Sequence, residues 1–430
     1  MRRLVWGDAP ENAGGPEWLV IGMSEGECVP PAADLAGIPE VSSLDDLTAQ
    51  SKWVVVIHPT LSSEFFEAAP VLSVEMAAPS IAMVLVAWRP APEVEAKGEG
   101  RISSFLCSST VFRQALEWAD PSAMRLRQLC FYLLDALING RVFVDRLLVR
   151  QLPRPSELHK SEQPAANDTV HPEAAVIMPH RGMVRHLDTA LRFLHGSSGP
   201  RPRIRVGLDV DEPEEYRELS ALYSNVEFFL AKPAPVGPYV IRQELAERSS
   251  EPLIVLHDSD DVSTTDRLEV LGNEMRRTTC DFIGSHEIRV DEIEREVAAI
   301  RFPLDVSAAL RRAPGHSLLH ATAMIGRAKF VAVGGLSTDQ RVANDTQFLF
   351  RAHFGLRIRN VDAFLYFRRR HDHALTVHPS TGNRIPLRFN LDAAWRADFG
   401  AIQRGEKRIE ESSLRPLRRT EAFQITRLSR

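Results

Sequence analysis

The sequence predicts an α/β protein, with a mostly parallel sheet flanked by helices in the second half of the chain and a smaller α/β block before it. Three observations carry this reading. From residue 174 onward, apolar strand-like runs alternate with short helical patterns, the arrangement of parallel strands joined by crossover helices. One of these runs, PLIVLHDSDD at 252–261, closes in clustered acids. WVVVIHPTL at 53–61 aligns with PLIVLHDSD at 252–260, His58 opposite His257, and the same offset sets Glu75-Met76 against Glu274-Met275. The first block therefore reads as a truncated copy of the second, and a weaker parallel between 112–144 and 328–360 points the same way.

In chain order, AAVIMP at 174–179 is a short buried-strand pattern and VRHLDTALRFL after it is a helix. RIRVGLDVD at 203–211 is a strand closing in acids, Glu214 to Tyr223 a helix, VEFFLA a third strand, and Tyr239 to Arg248 a helix leading into the fourth. In such sheets ligands sit beyond the carboxyl ends of the strands, and the acids cluster there. Residues 152–172 hold four prolines without apolar periodicity and read as a linker. This divides the chain into a first block at 1–151, the linker, a main domain at 173–385 and an arginine-rich extension at 386–430. Residues 404–430 carry eight Lys/Arg against four Glu, a solvated basic tail or an arm for anionic lipid.

A chain of 430 residues is long enough for two domains, and 44% hydrophobic with 25% charged residues is an ordinary globular composition. The net charge of -5 provides no global basic field, which argues against a nucleic-acid partner. Cys28, Cys107, Cys130 and Cys280 form no CxxC pair, so neither a disulfide framework nor a zinc-thiolate site is expected and a cytoplasmic location is. The opening MRRLVWGD stops short of an apolar signal core.

Asp258, Asp260 and Asp261 fall within four residues at the end of an apolar strand. Like charges so close repel unless a cation lies between them, and hard oxygen donors suit Mg2+ or Mn2+. A solvated acidic turn is the plainer reading of any such pair. HDH at 371–373 invites a metal reading too, although two histidines so spaced are more often surface charge.

Taken in order, AVIMPHRG, GLDVD, Arg242-Gln243, DSDD, VGGLSTDQRVANDTQFLFRAHFG and YFRRRHDHALT make residues 174 to about 380 resemble a family 2 glycosyltransferase of the GT-A fold. DSDD resembles that family's DxD, Asn344-Asp345 its acidic pair, and His371 and Thr376 its closing histidine and threonine. The resemblance implies an inverting, metal-dependent transfer of a sugar from a nucleotide diphosphate sugar, a UDP-sugar first, to a hydroxyl acceptor. It implies Asp345 as catalytic base, Asp260 and His371 on the metal, and Pro179, Arg181, Asp209, Asp211, Arg242, Asp258 and Ser259 around the nucleotide sugar. His286 falls on the acceptor side. Three positions depart from the pattern: His180-Arg181 for Thr-Tyr, Gln243 for Asn, and Asn344 for the first acid.

The chemistry suits these residue types. A diphosphate leaving group needs positive charge beside it. A hydroxyl attacks usefully only while a base takes its proton, and Asp345 at a helix start is the natural candidate, although it also suits a cap. Arg181, Arg242 and the acids at 209 and 211 have ordinary alternatives as exposed helix or turn residues. Two further readings stay open: a catalytically decayed glycan- or nucleotide-binding scaffold, and a metal-dependent nucleotidyltransferase. The first block, with Pro59 and Leu61 where Asp258 and Asp260 stand, is expected to lack a metal site and to pack on the main domain or form a homo-oligomer contact.

Overall fold

The computed structural model describes residues 2–6, 18–23, 47, 53–57, 81–86, 98–100, 102–118, 129–151, 173–198, 201–340 and 342–428. The linker expected at 152–172 and Cys28 lie outside the described residues.

The first block contributes β1 (Arg2–Trp6), β2 (Trp18–Met23), β3 (Trp53–Ile57), β4 (Ile81–Val86), β5 (Gly98–Gly100), β6 (Ile102–Ser108), α1 (Ser109–Leu116), α2 (Leu129–Ile138) and β7 (Arg146–Gln151). The second opens with β8 (Ala174–His180), α3 (Val184–His195), β9 (Arg203–Leu208), α4 (Glu214–Leu222), β10 (Val226–Lys232), α5 (Pro238–Glu247) and β11 (Leu253–Leu256). It continues with β12 (Val262–Ser263), α6 (Arg267–Thr278), β13 (Phe282–Asp291), β14 (Glu296–Arg301), α7 (Val306–Arg312), β15 (Met324–Gly326), α8 (Arg327–Ala332), α9 (Asn344–Ala352) and β16 (Ile358–Arg370). The end of the chain forms α10 (Pro386–Gln403) and β17 (Gln424–Arg427).

The larger sheet runs β12-β16-β13-β15-β11-β8-β9-β10-β17. Its central pairs β11-β8, β8-β9 and β9-β10 are parallel, as is β13-β16, with β15 antiparallel between β11 and β13. This is the α/β class with a large, mostly parallel central sheet. All seven residues of β8 are buried, as expected of a strand covered by helices on both faces. Gly207 in β9 sits under α5, where a Cβ would come within 2.2 Å of Ile241, so this glycine sets the close approach of helix to sheet.

The smaller sheet runs β1-β2-β3-β6-β4-β7. Its path β3-β6-β4-β7 is antiparallel, antiparallel, parallel. The path β11-β15-β13-β16 in the larger sheet has the same senses and the same chain order. In both, two helices precede the last strand. The likeness ends at the next strand, since β2 is antiparallel to β3 whereas β8 is parallel to β11. The blocks share one apolar cluster in which Leu134, Leu137 and Val142 of the first meet Val262, Ile288, Val290 and Phe367 of the second.

The arginine-rich end corrects the expectation of a solvated tail. Trp395 and Phe399, one helical turn apart, are 2% and 0% exposed and join the core beneath α9, and β17 extends the sheet at β10. Its cations are engaged locally, Arg404 with Glu406, Arg408 with Glu411 and Lys407 with Asp398. Trp395→Ala is expected to cost about 3–5 kcal/mol of unfolding free energy in urea denaturation, as a buried aromatic truncation does. An effect near zero would return the segment to a solvated tail.

Candidate active site

The carboxyl ends of β8, β9 and β11 open into a cleft of about 560 Å³. Pro179, Arg181, Asp209, Arg242, Asp258, Ser259, Asp260, Asp345 and His371 all line it, so the fold brings these sequence-predicted residues together. Two others stand apart. Asp211 is exposed and outside the lining, which leaves Asp209 as the acid of that strand end. His286 is corrected as an acceptor contact: it is fully buried on β13, its Nδ1 accepts from the Phe302 amide at 3.2 Å and its Nε2 donates to Asp362 at 3.1 Å. Both ring nitrogens are used inside the fold.

Asp258, Asp260 and Asp261 each bring a carboxylate oxygen within 4.8 Å of the others. Their surroundings divide them. Asp258 is ion-paired with Arg242 of α5 and its amide donates to the Tyr366 hydroxyl at 3.0 Å. Burial lifts its carboxyl above the usual range against the pull of Arg242, and Asp260 adds to the rise. Asp260 meets His371 Nε2 at 3.0 Å; burial would raise it, but that hydrogen bond and charge hold it down at about 2. Asp261 is buried and accepts the Arg369 amide at 2.8 Å, and burial plus the charges of Asp260 and Asp258 push it well up. One firmly ionised acid thus stands between two whose negative charge is costly, a donor set that a divalent cation would relieve.

Asp345 lies in the first turn of α9, where the helix dipole favours an anion. It accepts from the Tyr239 hydroxyl at 2.9 Å. Burial raises its carboxyl, but the charges around it, His316 first, and the Tyr239 hydrogen bond prevail and keep it below the usual range. It is ionised at neutral pH and able to accept a proton.

His180, Gln243 and Asn344 each have a local structural role. His180 Nε2 contacts the Tyr216 hydroxyl at 3.1 Å and Tyr216 donates onward to the Gly182 carbonyl, so His180 Nδ1 accepts from Ser259 at 2.8 Å. His180 ties the end of β8 to the acidic turn and occupies the Ser259 hydroxyl. Gln243 accepts from the Leu336 amide at 2.7 Å and lies outside the cleft lining. It braces the turn at Gly335, where φ is +61° and a Cβ would meet Gln243 at 2.3 Å. Asn344 donates to the carbonyls of Ser337 and Gln340, anchoring the loop ahead of α9. Asp209 accepts from the amides of Val236 and Gly237, fixing the loop before α5.

Sequence reasoning missed Tyr239, His320, Arg368, Arg369 and Arg388, which also line the cleft. Arg368 and Arg369 stand in the same YFRRRHDHALT run that supplied His371, and strand alternation, which gives Arg369 the parity of His371, was the available signal for Arg369 alone.

No family model matches this chain, and no curated protein does. Among solved structures, S. aureus TarS 1-349 in complex with UDP is 14% identical at a TM-score of 0.39, covering 46% of this chain and 61% of that one. The complex of the same protein with UDP-GlcNAc gives 14% and 0.40, covering 47% and 60%. This chain thus covers less than two thirds of their length.

Four buried histidines surround the cleft as neutral rings. Burial carries His180 down to about 4 and His186, His257 and His320 to about 3, with the charges of Arg369, Arg267 and Arg242 adding to the fall for the last three respectively. The unfolded chain protonates them near 6.5 while the native state does not, so stability is full above 6.5 and is lost as pH falls. Each contributes a slope of about 1.4 kcal/mol per pH unit between roughly 6.5 and its folded value. Urea denaturation across pH 7 to 4.5 should show this steep loss, shallower by one histidine's share in His257→Gln. A flat profile would contradict the assignment.

Proposed function

We propose that the protein is a metal-dependent, inverting glycosyltransferase that moves a sugar from a nucleotide diphosphate sugar to a hydroxyl acceptor, with a first block that is a partial copy of the β11-β15-β13-β16 part of the catalytic sheet. The single observation that supports this best is the convergence on one cleft of an acid trio and a separate ionised carboxylate, Asp345, from another element. Clustered acids alone would serve a nucleotidyltransferase as well; the separate carboxylate on α9 favours transfer to a hydroxyl. The motif order from AVIMPHRG to YFRRRHDHALT, which resembles family 2 and the GT-A fold, points the same way. The matching strand paths and the absence of acids after β3, at His58 to Leu61, support the copy.

In this reading Asp258 and Asp260, with His371, would hold Mn2+ or Mg2+. The ion would supply Lewis-acid neutralisation of the departing diphosphate. Arg181, exposed at the cleft, would meet the diphosphate, and Arg242 and Arg368 add positive charge beside Asp258. Asp345 takes the acceptor proton as the new bond forms, and a single base with in-line attack inverts the anomeric carbon. Tyr239 keeps the Asp345 carboxylate oriented.

The test is release of nucleoside diphosphate from a panel of nucleotide sugars by the purified protein with Mn2+. Asp345→Asn should lower kcat by about 10²–10⁴-fold, the usual worth of a positioned base, and leave the donor KM within a few-fold. Chelation by EDTA should abolish turnover and added Mn2+ restore it. Absence of turnover with every donor and acceptor would sink the enzyme reading, and phosphate or pyrophosphate release from simple nucleotides would favour the nucleotidyltransferase.

A further inference from the structure

Arg369 joins the first block to the acid trio. Its side chain, 1% exposed, is enclosed between the blocks. The guanidinium donates to Asn139 Oδ1 at 2.7 Å and to the Ile138 carbonyl, both at the carboxyl end of α2. It also meets His186 Nε2 at 2.7 Å and Glu292 at 3.3 Å. On its backbone side the same residue donates to Asp261 at 2.8 Å, and two residues on, His371 meets Asp260.

The end of α2 is built for this contact. The last carbonyls of a helix lack internal partners and carry the negative end of its dipole, so a buried guanidinium is well placed against them. Gly140 turns the chain there at a φ of +66°, and a Cβ would come within 2.4 Å of Thr189 Oγ1. Asn139 is itself held, donating to Asp135 at 2.8 Å and to Glu292 at 3.1 Å. A buried guanidinium met by four such partners is held in one direction, because losing a partner inside the enclosure is costly.

We propose that Arg369 is a positioning residue and that the first block completes the acid-bearing site: α2 fixes the Arg369 guanidinium, and through it the register of the β16 end that holds Asp261 and presents His371 to Asp260. The role of the trio rests on the reading above, whereas the brace itself does not. The first block is then an inseparable support of the site instead of a detachable module.

Full-length Asn139→Ala and Arg369→Lys are compared with Gln151→Ala, which breaks another contact between the blocks, the 2.7 Å bond from Gln151 to the Asp362 carbonyl farther back on the same strand. Hydrogen exchange is followed in peptides covering 257–263 and 367–371, and Mn2+ affinity by calorimetry. Asn139→Ala and Arg369→Lys should speed exchange in both peptides and weaken Mn2+ binding by about 10–100-fold, the range for groups that orient metal ligands. Gln151→Ala should do neither. Unchanged exchange in both peptides in Asn139→Ala and Arg369→Lys, or an equal change in Gln151→Ala, overturns the brace. Failure of the wild type to bind Mn2+ sinks the metal reading alone, and the exchange data still decide the brace.

Discussion

Everything around the cleft answers one electrostatic constraint: three carboxylates at the end of β11 stand within 4.8 Å of one another. Unshielded, they could not all ionise. The fold meets part of that demand with two arginines and a histidine hydrogen bond. Arg242 pairs with Asp258, His371 contacts Asp260, and the charge of Arg368 reaches both Asp258 and Asp261. The remaining demand is visible in Asp258 and Asp261, whose carboxyls stay above their usual range. This residual preference for positive charge is what favours the divalent ion proposed for the site.

The same constraint explains why so much of the surrounding structure is polar and buried. His180, His257 and Tyr366 each bond the backbone or side chain of the acidic turn or of the strand end beside it. Arg267, buried beneath, donates to the carbonyls of Leu256 and Ala321. These groups sit at fixed distances because each removed bond would leave a desolvated partner. Three further residues belong to this scaffold: Gln243 and Asn344 hold loops, and His180 holds Ser259.

The order of strands and helices in the second block was legible because buried parallel strands read as apolar runs and their acidic ends stand out. Asp258, Asp260 and Asp345 could be singled out from residue type and position, and they do meet in one cleft. Other features left weaker traces. His286 looked like a cleft residue because nothing in a sequence shows that both nitrogens of a ring are already bonded within the fold. The arginine content of residues 386–430 hid the apolar spacing of Trp395, Phe399 and Ile402, which is a helix signal in its own right. Pairing direction is not written in a strand, so the matching paths of the two sheets emerged only from their registers. Nor could sequence show that Arg369 spans the blocks, since its partners at 138 and 139 lie some 230 residues away.

The central claim is that the trio binds a divalent ion beside a diphosphate, across the cleft from Asp345. Crystals grown with Mn2+ and a nucleoside diphosphate, with data collected at the manganese absorption edge, test it most directly. The account predicts one anomalous peak coordinated by Asp258 or Asp260 and by diphosphate oxygens, with Asp345 facing open space for an acceptor. A nucleotide bound without manganese, with Asp258 still paired to Arg242 and Asp260 to His371, would contradict it.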